Sequence, residues 1–462
     1  MAIQYDEFQQ QVIDLDLPRD TALRVVANAG AGKSTTMLGK VKKLIENGVD
    51  PDSIVVFSFS RQARLDLEDK WKNKPDFAGV SPPRITTIHS FGLMLSRKYL
   101  ANTVMLIKSV EQLRVIKKFV VEALVEQGKE LPTNAVLNSA MFAVQDLISF
   151  YKAHCIPLEK AEHGSGYPKQ YRNSKPPFNF SLFISIFAKY DAYCKENNYY
   201  DFDDLVTQTY YDLKKNPEVL KRIRAKFRIF IVDESQDLNG ANWRLIMTLG
   251  KHQKLISVGD PCQNIYLFRY AKPQNFSTKY FSKYFSNVQS LELPYNYRSP
   301  PEIVSLGNHV RRLAHDSLQA IAVKPVDKNP VHIYCETFAH IEGRQVVNII
   351  QSLLQKYQLS DITVICRTTR FLTTVLEHRL ISAKIPYRLL ASNSRSFMET
   401  SAAQIYTNQL ALLVNPKNMV AYTSLIPFMK GMGEYTMGLR GKETIGKTAQ
   451  AYICLLYTSR RG

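Results

Sequence analysis

The sequence has few cysteines and no long apolar run. Its six cysteines are scattered over 462 residues without a Cys-x-x-Cys pair, so neither structural zinc nor a disulfide framework is expected, and a reducing compartment fits. No stretch of about 18 apolar residues occurs, so we expect no membrane span. The N-terminus is acidic and polar, unlike a secretory signal. These absences predict a cytoplasmic location.

Acidic residues are also scarce relative to basic ones. The chain has 60 Lys and Arg against 41 Asp and Glu, which gives a formal charge of +19 at pH 7. Such an excess favours a polyanionic partner and says nothing about the fold. A hydrophobic content of 45% and a charged content of 22% are ordinary for globular proteins and disfavour disorder, collagen and coiled coil. The length alone suggests about three domains.

Short apolar runs separated by helical segments predict a parallel α/β sheet. The candidate strands are residues 23–27, 54–57, 85–88, 229–232 and 255–258. Between about 95 and 205 the apolar spacing is helical, notably over 110–125 and 180–193. We interpret this region as a helical insertion with an exposed basic loop at 169–175, which either is solvated or contacts duplex phosphates.

A second α/β segment is predicted after residue 299. Residues 331–334 and 362–365 have the pattern of strands. Between them, residues 342–357 predict a helix with an apolar stripe at Val346, Val347, Ile350 and Leu354. From about residue 395 the pattern is helical.

One turn has the composition of a phosphate-binding loop. After the first predicted strand come Ala27-Asn28-Ala29-Gly30-Ala31-Gly32-Lys33-Ser34, followed by Thr35 and a predicted helix. Small residues let backbone N–H groups surround a phosphate, and the helix N-terminus adds its dipole. We expect Lys33 to reach the β- and γ-phosphates and Ser34 to ligate Mg²⁺. The strand–turn–helix context disfavours the alternative of an ordinary glycine-rich turn.

An acidic pair follows another predicted strand. Asp233 and Glu234 come directly after the apolar residues 229–232. Asp233 can hold Mg²⁺ through water, and Glu234 can orient or deprotonate an attacking water. An acidic helix N-terminus is the alternative. The presence of a phosphate loop in the same chain favours the catalytic interpretation.

These two elements belong to an ordered series of motifs. In chain order the series comprises Tyr5-Asp6-Glu7-Phe8-Gln9, the phosphate loop, Ser58-Phe59-Ser60-Arg61-Gln62-Ala63, Thr87-Ile88-His89-Ser90-Phe91, Asp201-Phe202-Asp203-Asp204-Leu205, Asp233-Glu234-Ser235-Gln236-Asp237, Val258-Gly259-Asp260-Pro261-Cys262-Gln263-Asn264-Ile265-Tyr266, Asn296-Tyr297-Arg298-Ser299, Ile365-Cys366-Arg367, Ile385-Pro386-Tyr387-Arg388 and Lys430-Gly431-Met432-Gly433. From about residue 5 to about 437, the chain resembles the UvrD/Rep-like superfamily 1 (1A) DNA helicases.

The resemblance implies an α/β fold of RecA-like P-loop motor domains with helical insertions. The first motor domain (1A) would comprise residues 1–95 and 206–299, with a helical insertion (1B) at 96–205. Residues 300–395 would form the first half of the second motor domain (2A). Residues 396–462 would begin a second helical insertion (2B), with an aberrant tail from about residue 450.

The resemblance also implies roles for residues around ATP. Gln9 would read adenine, and Tyr297 would stack on it. Gln263 would sense the γ-phosphate, and Arg298 would stabilise charge on the transferring phosphoryl group. Gln9 is a weak signal alone because two further glutamines follow it.

The DNA contacts implied by the resemblance fall on several motifs. They are Phe59, Arg61, His89, Ser90, Tyr266, Phe268, Arg269 and Arg367. The aromatic members would stack on bases, which tolerates any sequence. Each has a structural alternative: Phe59 in the core, Tyr266 and Phe268 on the core face of a strand, and His89 as a hydrogen-bonded structural histidine. Asp203 and Asp204 can also be read as a helix cap.

As a whole, the resemblance implies an ATP- and Mg²⁺-dependent helicase or translocase moving 3′→5′ on single-stranded DNA. Expected partners are single-stranded DNA, single/double-strand junctions and repair or replication proteins, with the protein a monomer or weak dimer. The motor portion of a helicase–nuclease and a single-strand-binding protein with a relic ATP site stay open. A P-loop enzyme acting on a small molecule is disfavoured by the charge and the interleaved aromatic residues.

The sequence departs from the family near its end. The family's Thr-x-His…Lys-Gly-x-Glu and Tyr-Val-x-x-Thr-Arg motifs are absent, the second of which supplies another γ-phosphate arginine. Residues 453–462 fit no family pattern. We therefore expect a C-terminally truncated chain that binds nucleotide and single-stranded DNA but turns ATP over weakly.

Overall fold

A six-stranded parallel sheet organises the first part of the chain. The computed structural model describes residues 3–100, 104–128, 132–164, 166–169, 171, 173, 175–313, 318–326, 331–367, 371–389 and 401–414. The strands are β1 Thr21–Ala27, β2 Ile54–Ser58, β3 Arg84–Thr87, β4 Met105–Leu106, β5 Tyr199–Tyr200, β6 Ile229–Val232, β7 Lys254–Gly259, β8 Asn287–Leu293, β9 Tyr295–Asn296 and β10 Ile321–Ala322. The sheet order is β3-β2-β6-β7-β1-β8, and every neighbouring pair is parallel.

The described residues also form α-helices, and some of them pack on the two faces of this sheet. They are α1 Glu7–Asp14, α2 Lys33–Glu46, α3 Arg61–Asn73, α4 Ile88–Lys98, α5 Ser109–Glu126, α6 Asn134–Ala153, α7 Leu158–Glu162, α8 Phe180–Glu196, α9 Asp204–Lys215, α10 Pro217–Lys226, α11 Gly240–Gly250, α12 Thr278–Phe281, α13 Pro301–Leu313, α14 Ala339–Leu353, α15 Glu377–Ser382 and α16 Ser401–Val414. None of the helices in the described ranges is long and apolar enough to cross a membrane.

Side-chain alternation divides the sheet between two hydrophobic cores. In β2, Val55 and Phe57 join one core, whereas Ile54 and Val56 join the other. The central strands are buried on both faces, as a parallel sheet covered by helices requires. The five strands predicted before residue 299 and the α/β class are confirmed. The third strand ends at Thr87, one residue earlier than predicted, because the Thr87 side chain caps α4.

The helix-rich region forms a core of its own. Helices α5, α6 and α8 contribute buried residues such as Val120, Leu147 and Phe183 to one cluster. A buried ionic group joins this region to α9: Lys152 Nζ donates to Asp201 at 2.6 Å and to Asp204 at 2.7 Å. Asp203, directly before α9, makes no side-chain cap hydrogen bond, so the helix-cap alternative is wrong for it. For Asp204 that alternative is confirmed, because Asp204 and Asp201 each accept a hydrogen bond from the other's backbone N–H, at 3.1 and 3.0 Å, in the pattern of a capping box.

The chain divides into two compact units, one up to residue 331 and one from residue 332. In the second unit, α14 is confirmed, and its residues Val347 and Ile350 pack with Leu376 and Leu380. The strands predicted at 331–334 and 362–365 are wrong: the backbone there is irregular. An apolar run becomes a strand only when another strand completes its hydrogen bonds, and among the described residues from 331 onwards none does. Accordingly, Ile333 is 83% exposed and Ile365 is 90% exposed.

Candidate functional site

The candidate segments of the first unit gather at one edge of the sheet. The six strands end at Ala27, Ser58, Thr87, Val232, Gly259 and Leu293. Because the strands are parallel, these carboxyl ends face the same side. Each is followed within a few residues by a predicted nucleotide or DNA contact. Ligands of open parallel α/β sheets bind at this edge.

The phosphate loop follows β1 and adopts a conformation that requires glycine at two positions. Gly30 has φ +69° and Gly32 has φ +75°, in the left-handed region. A Cβ on Gly30 would lie 2.7 Å from Cβ of Arg298 and 2.7 Å from Oδ1 of Asn296. The Tyr297 N–H donates to the Gly30 carbonyl at 3.0 Å. The chain leading to Arg298 is therefore packed directly against the loop.

Lys33, the first residue of α2, contacts the acidic pair. Its Nζ lies 3.1 Å from Oε2 of Glu234, and the Gln236 amide donates to the same oxygen at 2.8 Å. Glu234 has φ +47°, an unusual conformation for a residue with a side chain. Non-glycine residues in this region cluster at functional sites. The backbone turn after β6 thus accompanies a direct contact between Glu234 and the phosphate-loop lysine.

Asp233 is buried at the end of β6. Its N–H donates to the Phe57 carbonyl at 3.0 Å, and its Oδ1 accepts from the Glu234 N–H at 3.0 Å. Burial, reinforced by the charge of Glu234, raises the pKa of Asp233 to about 6. A carboxylate beside the phosphate loop, with the hydroxyl of Ser34 at the start of α2, supplies the oxygen ligands that Mg²⁺ prefers. The residues present therefore fit a magnesium ion.

On the other side of the loop lie the residues predicted to contact adenine. Gln9 is buried, and its amide donates to the Ala31 carbonyl at 3.0 Å. Asp6 caps α1 by accepting from the Gln9 N–H at 2.8 Å, and it also accepts a hydrogen bond from the Tyr297 hydroxyl. Burial, with the charge of Asp6, raises the pKa of Tyr297. The Asp6 carboxylate thus hydrogen-bonds both the Gln9 backbone and the Tyr297 hydroxyl.

Gln263 lies in the turn after β7. Its amide donates to the carboxylate of Asp260, which is completely buried. Arg298 lies against the loop through its backbone, and its side chain is exposed. Both residues are within the same edge of the sheet as Lys33.

An aromatic surface continues along this edge, and we call it the stacking surface. It consists of Phe59, His89, Phe202, Tyr266, Phe268 and Arg269. Tyr266 lies between Phe59, at 4.7 Å between ring centroids, and Phe268, at 5.8 Å. The Arg269 guanidinium is 5.8 Å from the centroid of Tyr266. Phe268 is 62% exposed, so its ring is open to a partner.

His89 and Phe202 form the other end of the stacking surface. Their rings stack at 4.1 Å with an interplanar angle of 17°. Burial, helped by the charge of Arg269, lowers the pKa of His89 to about 4, so the ring is neutral at neutral pH. Phe202 is 60% exposed and was given no role from the sequence. The available signal was an aromatic residue set among aspartates, a poor environment for a core side chain.

The structural alternatives for the aromatic residues have different outcomes. Phe59 is half-buried against the sheet core and also contacts Tyr266, so its core alternative is confirmed, whereas its DNA contact stays a prediction. The alternative that Tyr266 and Phe268 lie on the core face of a strand is wrong, because Leu267–Arg269 form a 3₁₀ turn. That turn follows from the hydrogen bond between the Arg269 N–H and the Tyr266 carbonyl.

The remaining predicted contacts are spread more widely. Arg61 begins α3 with an exposed side chain, and Ser90 is exposed in the first turn of α4. Arg367 is exposed in the second unit. Residues 430–433 and the tail from 453 lie outside the described residues, as do residues 170, 172 and 174 of the basic loop.

A phosphate loop after β1 and an acidic pair after β6, on one edge of a parallel sheet, define a P-loop domain with a RecA-like core. The UvrD/REP helicase N-terminal domain matches residues 6–283, and the UvrD-like helicase C-terminal domain matches residues 291–452. The first match alone covers more than half of the chain. The chain therefore belongs to the UvrD/REP helicase family, and the match extends beyond residue 437.

Individual relatives of the chain are DNA helicases. The chain is 26% identical to the ATP-dependent DNA helicase Rep of Escherichia coli K12, over 89% of this chain and 60% of that protein. It is 26% identical to the ATP-dependent DNA helicase PcrA of Bacillus subtilis, over 90% of this chain and 54% of that protein. A probable DNA helicase II homolog of Mycoplasma capricolum is 28% identical over 83% of this chain. The chain spans only 51–60% of the length of these relatives.

Proposed function

We propose that this chain forms the ATP-hydrolysing motor of a DNA helicase that moves 3′→5′ along single-stranded DNA. The observation that carries the proposal is the shared edge of the sheet, where the Lys33–Glu234 pair and the stacking surface both follow strand ends. ATP hydrolysis at one end of this edge can therefore act on single-stranded DNA bound at the other end. The names of the relatives, ATP-dependent DNA helicases, support the same activity.

ATP would lie across the phosphate loop, with its base near α1. Gln9 hydrogen-bonds the adenine edge, and the half-exposed Tyr297 ring stacks on its face. The Asp6 carboxylate holds both residues, so it orients the base site before the nucleotide arrives. Lys33 and the backbone N–H groups of the loop bind the phosphates.

Hydrolysis requires a water aligned with the γ-phosphoryl group. We assign its orientation and deprotonation to Glu234, which Lys33 neutralises in this structure. A γ-phosphate competes for Lys33 because it carries more negative charge than one carboxylate, so substrate binding frees Glu234 for the proton. Arg298, held against the loop, stabilises charge on the transferring group. Ser34 and Asp233 would hold Mg²⁺, which neutralises phosphate charge when bound.

Single-stranded DNA would pass over the stacking surface. Phe59, Tyr266 and Phe268 offer ring faces, and Arg269 offers a cation beside them. Base stacking tolerates any sequence, which a motor that traverses every base requires. The net charge of +19 supports a grip on the phosphate backbone. Gln263, three residues before Tyr266, lies between the nucleotide side and this surface. Junction binding, repair or replication partners and a monomeric or weakly dimeric state are further parts of the proposal.

Measuring ATP hydrolysis by the chain with and without an oligothymidine tests this function. We expect single-stranded DNA to stimulate phosphate release, and we expect DNA affinity to fall steeply as salt rises. Displacement of a fluorescent strand from 3′- or 5′-tailed duplexes then tests polarity. Nucleotide binding without any hydrolysis, with or without DNA, would instead indicate a relic ATP site.

The stacking surface makes a separate prediction. Replacing Phe268 with alanine removes an exposed ring and should weaken single-stranded DNA binding by about 1–3 kcal/mol, whatever the base sequence. Because Tyr266 contacts Phe268, the double replacement should cost less than the sum of the single ones. Fluorescence anisotropy of labelled oligonucleotides measures both effects.

Phe142 provides the matched control for that prediction. It is another exposed phenylalanine, on α6 in the helical region. Its replacement by alanine should leave DNA affinity unchanged. Equal losses in the Phe142 and Phe268 variants would show that binding does not depend on the stacking surface.

A further inference from the structure

An arginine outside the motif series contacts the turn that carries Gln263. Arg311, near the end of α13, donates from Nη1 to Oδ2 of Asp260 at 2.6 Å and from Nη2 to Oδ1 at 3.1 Å. The Asp260 side chain is 0% exposed and that of Arg311 is 11% exposed. Such two-pronged pairs between guanidinium and carboxylate are strong and geometrically specific. This contact therefore restrains the position of Asp260.

Asp260 organises the turn after β7. Its Oδ1 accepts from the Cys262 N–H at 3.0 Å, and its Oδ2 accepts from the Gln263 amide. Its own N–H donates to Oε1 of Gln236 at 2.9 Å. The orientation of the Gln263 amide therefore depends on the position of one buried carboxylate.

The same hydrogen-bond network reaches the phosphate loop. Gln236 donates to Glu234, and Glu234 pairs with Lys33. A continuous path thus runs from Lys33 through Glu234 and Gln236 to Asp260, and Arg311 lies at its far end. In the other direction, Tyr266 of the stacking surface follows Gln263 by three residues. The turn held by Arg311 is consequently connected to the phosphate loop through hydrogen bonds and to the stacking surface through the chain itself.

The adjacent arginine does not take part in this network. Arg312 is exposed and donates to Oε1 of Gln319 at 3.3 Å. Helix α13 buries little apolar surface, since Val304 is its buried residue whereas Val310 and Leu313 are exposed. The bidentate contact with Asp260 is therefore a principal restraint on the last turn of α13.

We propose that Arg311 is a positioning residue that couples nucleotide binding to DNA binding by holding Asp260 and, through it, Gln263. The proposal rests on the function proposed above. Without the guanidinium, the buried carboxylate keeps only neutral donors, and the turn loses the restraint that orients the Gln263 amide. The free energies of binding ATP and DNA then become independent. The proposed effect of Arg311 on both sites passes through Asp260.

The Arg311→Met variant tests this inference, with Arg312→Met as its matched control. The main measurement is the dissociation constant for an oligothymidine with and without a non-hydrolysable ATP analogue. Coupling between two such sites typically changes affinity by about 5–150-fold. In the parent chain, we expect the ATP analogue to change the dissociation constant for DNA by a coupling factor of this size. Arg311→Met should reduce that coupling factor to near one, whereas Arg312→Met should leave it as in the parent chain. DNA stimulation of ATP hydrolysis should fall in parallel, while unstimulated hydrolysis changes less.

Arg311→Lys is the conservative variant. A lysine keeps the positive charge but lacks the planar guanidinium that makes two parallel hydrogen bonds to a carboxylate. We therefore expect partial recovery of the coupling factor. If Arg311→Met fails to fold by circular dichroism, Arg311→Lys carries the test, and a coupling factor equal to that of the parent chain would overturn the proposal. An unchanged factor in folded Arg311→Met would overturn it as well. A parent chain without any nucleotide–DNA coupling would instead contradict the proposed function itself.

Discussion

Replacing Glu234 with glutamine is expected to lower ATP turnover by about 10²–10⁴-fold, the range typical of a general base. Glutamine keeps the shape of the side chain and its hydrogen bond with Gln236, but its amide cannot accept the proton of an attacking water. ATP binding should be retained, because Lys33 loses an anionic competitor when the carboxylate is removed. Phosphate release and titration with a fluorescent ATP analogue separate the two effects.

Glu68→Gln is a suitable control for this experiment. Glu68 forms a partly exposed pair with Arg64 one helical turn earlier on α3, at 2.6 Å. Such surface pairs contribute little to stability. The control should hydrolyse ATP as the parent chain does. Parent-like turnover by Glu234→Gln would show that another group receives the proton.

Replacing Lys33 with alanine is also expected to lower ATP turnover strongly. The change removes the cation expected to bind the phosphates, and preorganised electrostatic contacts of this kind contribute about 10²–10³-fold to turnover. It also leaves the half-buried Glu234 carboxylate with Gln236 as its neutral donor. Turnover and ATP affinity should therefore both fall, in contrast to Glu234→Gln. Single-stranded DNA binding without nucleotide should be unchanged.

Lys42→Ala controls for the loss of a lysine on the same helix. Lys42 lies on α2 and pairs with Glu46 at 3.4 Å, away from the loop. Circular dichroism and oligothymidine binding show whether each variant is folded. An ATPase rate in Lys33→Ala equal to that of the Lys42 variant would eliminate the phosphate loop as the site of hydrolysis.

The local parts of the fold could be predicted because their signals are local. Apolar runs at 23–27, 54–57, 229–232 and 255–258 are strands in the structure, since β-branched residues in short runs between turns suit a buried sheet. The helix from Lys33 ends before Asn47 and Gly48, as the turn residues indicate. The parallel arrangement also follows from alternating strands and helices. It brings the ends of distant strands together without any further signal.

Predictions failed where a segment depends on a partner. Residues 331–334 and 362–365 have strand patterns, yet a pattern cannot supply the neighbouring strand that would complete the ladder. The alternative of a strand at Phe268 fails because backbone hydrogen bonds close Leu267–Arg269 into a 3₁₀ turn. The local sequence does not single out Phe202, because its ring partner, His89, lies more than a hundred residues earlier in the chain.

The sequence by itself determined the chemistry available to this protein. The phosphate loop, the acidic pair, the aromatic residues and the positive charge are all local, because each depends on residue type and on spacing over a few positions. Only the tertiary structure decided which groups touch: Lys33 with Glu234, Asp6 with Tyr297, His89 with Phe202, and Arg311 with Asp260. The reason is that a contact between residues far apart in the chain is set by the packing of whole strands and helices, which local spacing does not encode.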